Sequence, residues 1–319
     1  MFRFLKITLA LMSLLVAAGC GGGGSSSSSP KATSGTTTVA LTPVKSGIYA
    51  ATSGGLAIST NGGTSWTNYT TTNGLPSNQV NDVVASGLDI YVATSAGLSI
   101  SRDGGLTWST YTTSYGLGSN TVNGVYVSGL TVLAATAGGV SVSGDGGSTW
   151  TTYLQGISIT SVYAVGSTIY AAGPGVFISA NGGLNWTIAN VFPHGGNNSV
   201  YGVFAIGQTV LAAAEQGLFI SADGGTTWAN HWGSGSATGV YATSTAIYAS
   251  SSAGISISTD SGTTWSQYLG TAANGVYVVG TSIYAATGSG VAISALSGAP
   301  PWTVKSGMAN TTVNNVFVQ

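Results

Sequence analysis

The chain has 319 residues, of which 43% are apolar and only 4% charged, against about 25% charged in an ordinary globular domain. Once Arg3 and Lys6 are assigned to an export leader, four basic residues (Lys31, Lys45, Arg102 and Lys305) stand against seven acids. Phosphate neutralisation needs a basic stripe, and none exists, so nucleic acid is excluded as a partner and long-range electrostatic steering is weak.

The chain opens "MFRFLKITLALMSLLVAAGC". Arg3 and Lys6 give a basic start and 7–18 form an apolar run, shorter than the ~20 residues that span a bilayer. A basic start, a short apolar core and a small-residue exit predict an export signal over residues 1–19. The sequence "AAGC" places Cys20 at the cleavage point, with Ala17 where leucine is commonest. It resembles the lipobox of bacterial lipoproteins, which implies lipidation of Cys20 and a membrane anchor. Gly21 follows, where the inner-membrane retention signal of that family has aspartate, so the resemblance favours the outer membrane. Cys20 is the single cysteine, so no internal disulfide forms. "GGGGSSSSSPKATSGTTT" has nothing to bury and predicts a flexible tether over 20–38.

From residue 39 onward a repeat organises the chain. "SRDGGLTW" (101–108), "SGDGGSTW" (143–150), "SADGGTTW" (221–228) and "STDSGTTW" (258–265) recur. With weaker copies they end at Trp66, Trp108, Trp150, Trp186, Trp228, Trp265 and Trp302. Between them lie short β-branched, alternating pieces bounded by Gly or Ser, such as "VNGVYVSG", "TVLAATAGG", "VSVSGDGG" and "TWTTY". These read as four strands per unit, here A to D from the inside out. Nothing after the leader carries a helical apolar period. Units of about forty residues with four strands are propeller blades, so the expected fold is an all-β, seven-bladed propeller over 39–319. The last residues, "VNNVFVQ" (313–319), match strand A text and stop where strand B would follow. They are expected to supply strand A of blade one and close the ring; "TTTVAL" (37–42) is the competing candidate.

The S-x-D-x-G-x-T-W pattern resembles the Asp-box, or bacterial neuraminidase repeat, from about residue 48 to the end. That resemblance implies a structural turn between strands C and D. The residue types agree. An aspartate such as Asp103, Asp145, Asp223 or Asp260 can accept N–H groups of its own turn, glycine permits positive φ, and the tryptophan packs between blades while its N–H can find a partner. Calcium is the alternative, but a cation loop needs several oxygen ligands. Each turn offers at most one carboxylate, Asn61 and Asn181 replace aspartate in two, and the last carries Leu296. No metal and no cofactor are expected.

Sialidases share this repeat, and the family pattern implies three arginines plus a tyrosine nucleophile assisted by a glutamate. The mature chain has one arginine, Arg102, and one glutamate, Glu215. Outside the boxes the acids are Asp82, Asp89 and Glu215, on different strands and turns, and no convergent pair for glycoside hydrolysis emerges. His231 stands where Tyr69, Tyr111, Tyr153 and Tyr268 stand in other units, three residues after the box tryptophan, and reads as a packing variant. Two histidines without carboxylates make a poor metal site. A non-catalytic binding or scaffold propeller is the expectation, with an atypical glycoside hydrolase as the alternative. The photosystem assembly-factor family is also similar in having seven Asp-box blades, but implies a basic partner-binding patch this chain lacks.

The D-to-A loops are the longest and most varied, and carry Tyr115, Phe192, His194 and Trp232. Aromatics among Gly and Asn suit a protein or glycan partner. Aligning the A strands places Asn81, Asn123, Thr160, Tyr201, Thr238, Asn274 and Asn314 at one position, expected as a polar collar at the channel mouth.

Overall fold

A computed structural model describes residues 43–189, 191, 199–232, 235–296 and 301–319. The leader, Cys20, the tether, Phe192 and His194 lie outside the described residues. Seven four-stranded antiparallel sheets form the blades, each running A to D. Blade two is representative, with strands Val80–Ser86, Asp89–Thr94, Gly97–Ser101 and Ser109–Tyr111. The outer strands shrink to as little as Ala229–Asn230 in blade five. The described helical structure is two single 3-10 turns, Thr71–Asn73 and Thr113–Tyr115.

Strands B and C are covered on both faces by neighbouring blades, and their text follows from that. Strand B of blade one, "IYAAT", is buried at every residue, and so is its strand C, "GLAIS". Sheets buried on both sides lose the alternation of half-wet strands and become continuous runs of apolar and small residues. Strand A alternates instead, because one of its faces looks into the channel.

The ring closes with the C-terminal strand. Val313–Val318 pairs antiparallel with Ile48–Thr52, placing Tyr49 opposite Phe317. Gly47 and Gln319 exchange two backbone hydrogen bonds of 3.1 Å at the end of the ladder. Strand A of blade one is therefore 313–318, and the alternative at 37–42 is not required.

The core is not a single mass but seven wedges, each between consecutive blades and each holding one tryptophan of the repeated turns. Trp108 packs on the wedge containing Tyr49, Leu56, Val80 and Ile90 from blades one and two. Trp66 does the same where blade seven meets blade one. Removing such an indole would cost about 3–5 kcal/mol, so the sevenfold tryptophan spacing is a spacing of inter-blade rivets.

Candidate functional site

The repeated turns join strands C and D, and their polar groups are spent within the turn. In blade three, Asp145 Oδ1 accepts from Ser143 Oγ at 2.7 Å and from the N–H groups of Ser148 and Thr149 at 3.0 and 2.9 Å, while Oδ2 accepts from Thr149 Oγ1 at 2.6 Å. These donors, Thr149 foremost, hold the Asp145 carboxyl far below the usual range. Thr107 does the same for Asp103, Thr227 for Asp223 and Thr264 for Asp260, each lowered to about 2. Asn61 and Asn181 make the acceptor half of the pattern, to Ser65 N and Asn185 N, both at 2.9 Å.

The leading serine, present at the head of all seven turns, is the buried member. Ser143 is 1% exposed. Its Oγ accepts from Gly147 N at 2.8 Å while donating to Asp145. The second turn glycine has φ near +90°, and in blades one, two, four and six it faces the residue three after the preceding blade's tryptophan. A Cβ on Gly105 would lie 3.1 Å from the Tyr69 ring, and one on Gly262 would lie 3.1 Å from His231 Nδ1. His231 Nδ1 also contacts the Gly262 carbonyl at 3.0 Å, so it takes the tyrosine's packing place. The indole N–H finds a carbonyl in Trp150, Trp186, Trp228 and Trp265. Contrary to expectation it has no partner in Trp66, Trp108 or Trp302, which act through packing alone.

The seven aligned strand A positions all line the mouth of a central channel of about 540 Å³. Six of them are stitches. Each side chain donates to a backbone carbonyl of the next blade: Asn314 to Val80, Asn81 to Val122, Asn123 to Ile159, Thr160 to Val200, Thr238 to Ala273 and Asn274 to Val313, at 2.6–2.9 Å. Tyr201 makes no such bond, so the joint from blade five to blade six is unstitched. In six blades the collar residue occupies a β-bulge. The bulge turns its side chain toward the neighbour and shifts the parity of the next residues along the strand.

Beyond the collar, Asp82, Ser161, Asn315 and four glycines form a narrow layer. A Cβ on Gly275 would approach Asn315 Oδ1 to 2.8 Å and one on Gly239 would approach Ser250 Oγ to 2.9 Å, so those two blades have little room for a larger residue. Next comes an aromatic belt. Tyr126, Tyr163, Phe204, Tyr241, Tyr277 and Phe317 follow one another around the axis with centroids 4.6–5.1 Å apart and tilts of 41–58°. Blade two supplies Val84 instead. Burial raises the belt phenols, Tyr163 to about 12 with further contributions from Tyr126 and Tyr241, so they remain neutral donors.

Asp82 is the one carboxylate in the channel lining. It accepts from Asn315 Nδ2 at 2.6 Å, Val83 N at 2.8 Å and Val125 N at 2.9 Å, and so ties blades one, two and three. Burial raises its pKa to about 6, against those three donors, which pull it down. The remaining acids do not converge. Asp89 pairs with Arg102 at 2.5 Å. Arg102 also donates to Tyr91 Oη and to the Gly146 carbonyl of blade three. Glu215 is exposed on the B–C turn of blade five. Among the described residues no three His, Cys, Asp or Glu side chains gather as a metal site would need.

On the loop face Tyr115 is 58% exposed and rests edge-on against Tyr111, 5.5 Å between centroids. Trp232 is half-buried and lies 5.2 Å from Trp265, so much of it serves packing. On the opposite face a groove of about 950 Å³ opens between blades five and six, past Trp228 and His231. Blades two to five latch a turn glycine N–H onto their own A–B turn carbonyl, as Gly146 does to Leu130 at 2.8 Å. Blade six has Thr243–Ala246 as its A–B turn and Ser261 in place of that glycine, and lacks this latch.

These features define a seven-bladed β-propeller whose repeated turns are self-contained and whose channel is graded from polar collar to aromatic belt. No protein-family model and no curated protein matches the chain. Among solved structures it is similar to an extracellular domain assigned to a one-component system of B. thetaiotaomicron, with a TM-score of 0.65 and 15% identity over 80% of this chain and 37% of that one. It is similar to PorZ, a bacterial surface component of the type-IX secretion system of Porphyromonas gingivalis, with a TM-score of 0.64 and 18% identity over 83% of this chain and 37% of that one. It is also similar to an ancestral GH74 enzyme, with a TM-score of 0.59 and 20% identity over 75% of this chain and 38% of that one. The chain therefore spans well under half of each, and the likeness is one of fold. Among the described residues no helix is long and apolar enough to cross a membrane.

Proposed function

We propose that the protein is a lipid-anchored Asp-box propeller of the bacterial cell envelope. It binds a protein or glycan through its D-to-A loop face and performs no catalysis. Cys20 carries the anchor, residues 20–38 act as tether, and the outer membrane is the site of attachment. The observation that carries the non-catalytic reading is the fate of the acids. Four are consumed by their own turns and Asp89 by Arg102, Asp82 stands in the channel lining with no other carboxylate beside it, and Glu215 is exposed on a B–C turn, so no two carboxylates form a hydrolytic pair. Surface and extracellular propellers among the structural neighbours support a binding role, and the GH74 neighbour supports keeping hydrolysis as the tested alternative.

The test is affinity capture from envelope extract and a glycan panel, comparing the protein with Tyr115→Ala, Phe192→Ala and Trp232→Ala. The reading expects a specific partner whose retention falls with at least one substitution. Turnover of any glycoside that is abolished by Glu215→Gln would overturn it. Unchanged retention in all three variants would remove the loop face as the site.

A further inference from the structure

A repeated scaffold makes departures from its symmetry informative, and two departures fall on one strand. In the layer below the collar most blades place glycine, while blade two places Asp82. In the aromatic belt six blades place Tyr or Phe, while blade two places Val84. Asp82 and Val84 are two apart on strand Val80–Ser86, so both face the channel. The smaller side chain opens a gap in the belt beside the carboxylate, flanked by Tyr126 of blade three and Phe317 of blade one.

The charge of Asp82 also lacks a counterion. The ion pair found among the described residues is Arg102–Asp89, at the rim. A carboxylate held deep in protein without a cation is costly, and the three N–H donors around it leave one lone pair of Oδ2 unused. Both Asp82 and Val84 keep part of their surface open to the lumen. A hard metal ion would need several more oxygen ligands, usually with a second carboxylate, whereas Asp82 is the one carboxylate of the lining and the layer on its inner side is the aromatic belt. Carboxylate plus aromatic faces is the chemistry that recognises an alkylated ammonium.

The geometry points to a binding site in the channel for a small organic cation, its ammonium against Asp82 and its alkyl groups in the belt gap at Val84. The lumen, about 540 Å³, has ample room for a molecule of that size. This site is independent of the loop face, and its test does not use the loop variants.

Isothermal titration of the purified protein with choline chloride, and separately with its uncharged isostere 3,3-dimethylbutan-1-ol, reads the site directly. Choline is expected to bind and the isostere to bind at least about tenfold more weakly. Asp82→Asn is expected to weaken choline by a similar factor. Val84→Tyr, which completes the belt and leaves the charge untouched, is expected to abolish binding with thermal unfolding retained. Should Asp82→Asn fail to fold, the isostere and Val84→Tyr decide the matter. Three results would overturn the inference: no choline binding up to about 10 mM, equal binding of the isostere, or displacement of choline by calcium at Asp82.

Discussion

Ser143→Ala tests the physical account of the repeated turns. The hydroxyl it removes is 1% exposed and serves three groups: it donates to Asp145 at 2.7 Å and accepts from Gly147 N at 2.8 Å and Asp145 N at 3.3 Å. Alanine leaves the buried Gly147 N–H with no acceptor, and an orphaned buried donor costs about 1–3 kcal/mol. For a domain of this size each kcal/mol is worth about 2 °C, so a melting point lower by about 4 °C is expected. Ser99→Ala is the control. Ser99 is equally buried, but its Oγ pairs with Thr110 Oγ1, a hydroxyl that can turn elsewhere, so a loss below about 1 kcal/mol is expected. Asp145→Asn should cost less than Ser143→Ala at neutral pH, since Asn61 and Asn181 accept the same N–H groups in blades one and four, and what it loses is the charge-dependent part of the turn's stability. Circular dichroism melts of the three variants, with and without calcium, complete the experiment. Equal losses for the two serines would refute the capping argument, and so would a calcium-dependent melting point that Asp145→Asn abolishes.

The pH dependence of stability should have a maximum near pH 4. The turn aspartates have folded pKa values below their unfolded ones, so the stability they add is present above about pH 4 and is lost as pH falls toward 2. Asp82 has the opposite sign. Its folded value of about 6 exceeds the unfolded one, so stability on the order of 3 kcal/mol is lost as pH rises from about 4 to 6. A melting curve that climbs steadily to pH 7 would contradict this, as would a falling limb that survives Asp82→Asn. Tyr49→Phe should be neutral or stabilising by about 1 kcal/mol, because the Tyr49 hydroxyl is buried without a partner; a clear loss in chemical denaturation would show a partner the geometry lacks. Trp232→Ala should cost about 2 kcal/mol through its contact with Trp265, whereas Tyr115→Ala should cost less than about 1, given its exposure. The reverse order in thermal melts would mean that the two loop aromatics have been assigned the wrong roles.

The blade count is legible because the tryptophan turns recur with the chain's own period, and the closing strand because "VNNVFVQ" repeats the text of every strand A. The collar can be aligned from that same text. Its work as stitching cannot, since it depends on a bulge that no local residue announces. The aromatic belt is hidden for a related reason. Its members stand three residues after each collar position, as Tyr126 follows Asn123, and a regular strand would put that spacing on the opposite face. The bulge changes the parity and brings both to the channel. Asp82 reads in the sequence as an ordinary solvated or capping carboxylate because its decisive partner, Asn315, is 233 residues away and meets it only once the ring has closed. The serine that opens every turn is visible in the repeat, but its burial, which decides its weight, is a property of the fold.

The missing stitch at Tyr201 has a mechanical meaning. A wheel with no free edge opens most readily toward its axis where the inner row of side-chain bonds is interrupted. The joint between blades five and six lacks that inner fastening and is held farther out, where His231 Nδ1 meets the Gly262 carbonyl and Trp265 Nε1 donates to the His231 carbonyl. Breathing of the whole assembly is thereby assigned an address: amide protons of strand Ala237–Ala242 should exchange with solvent ahead of their counterparts around the rim.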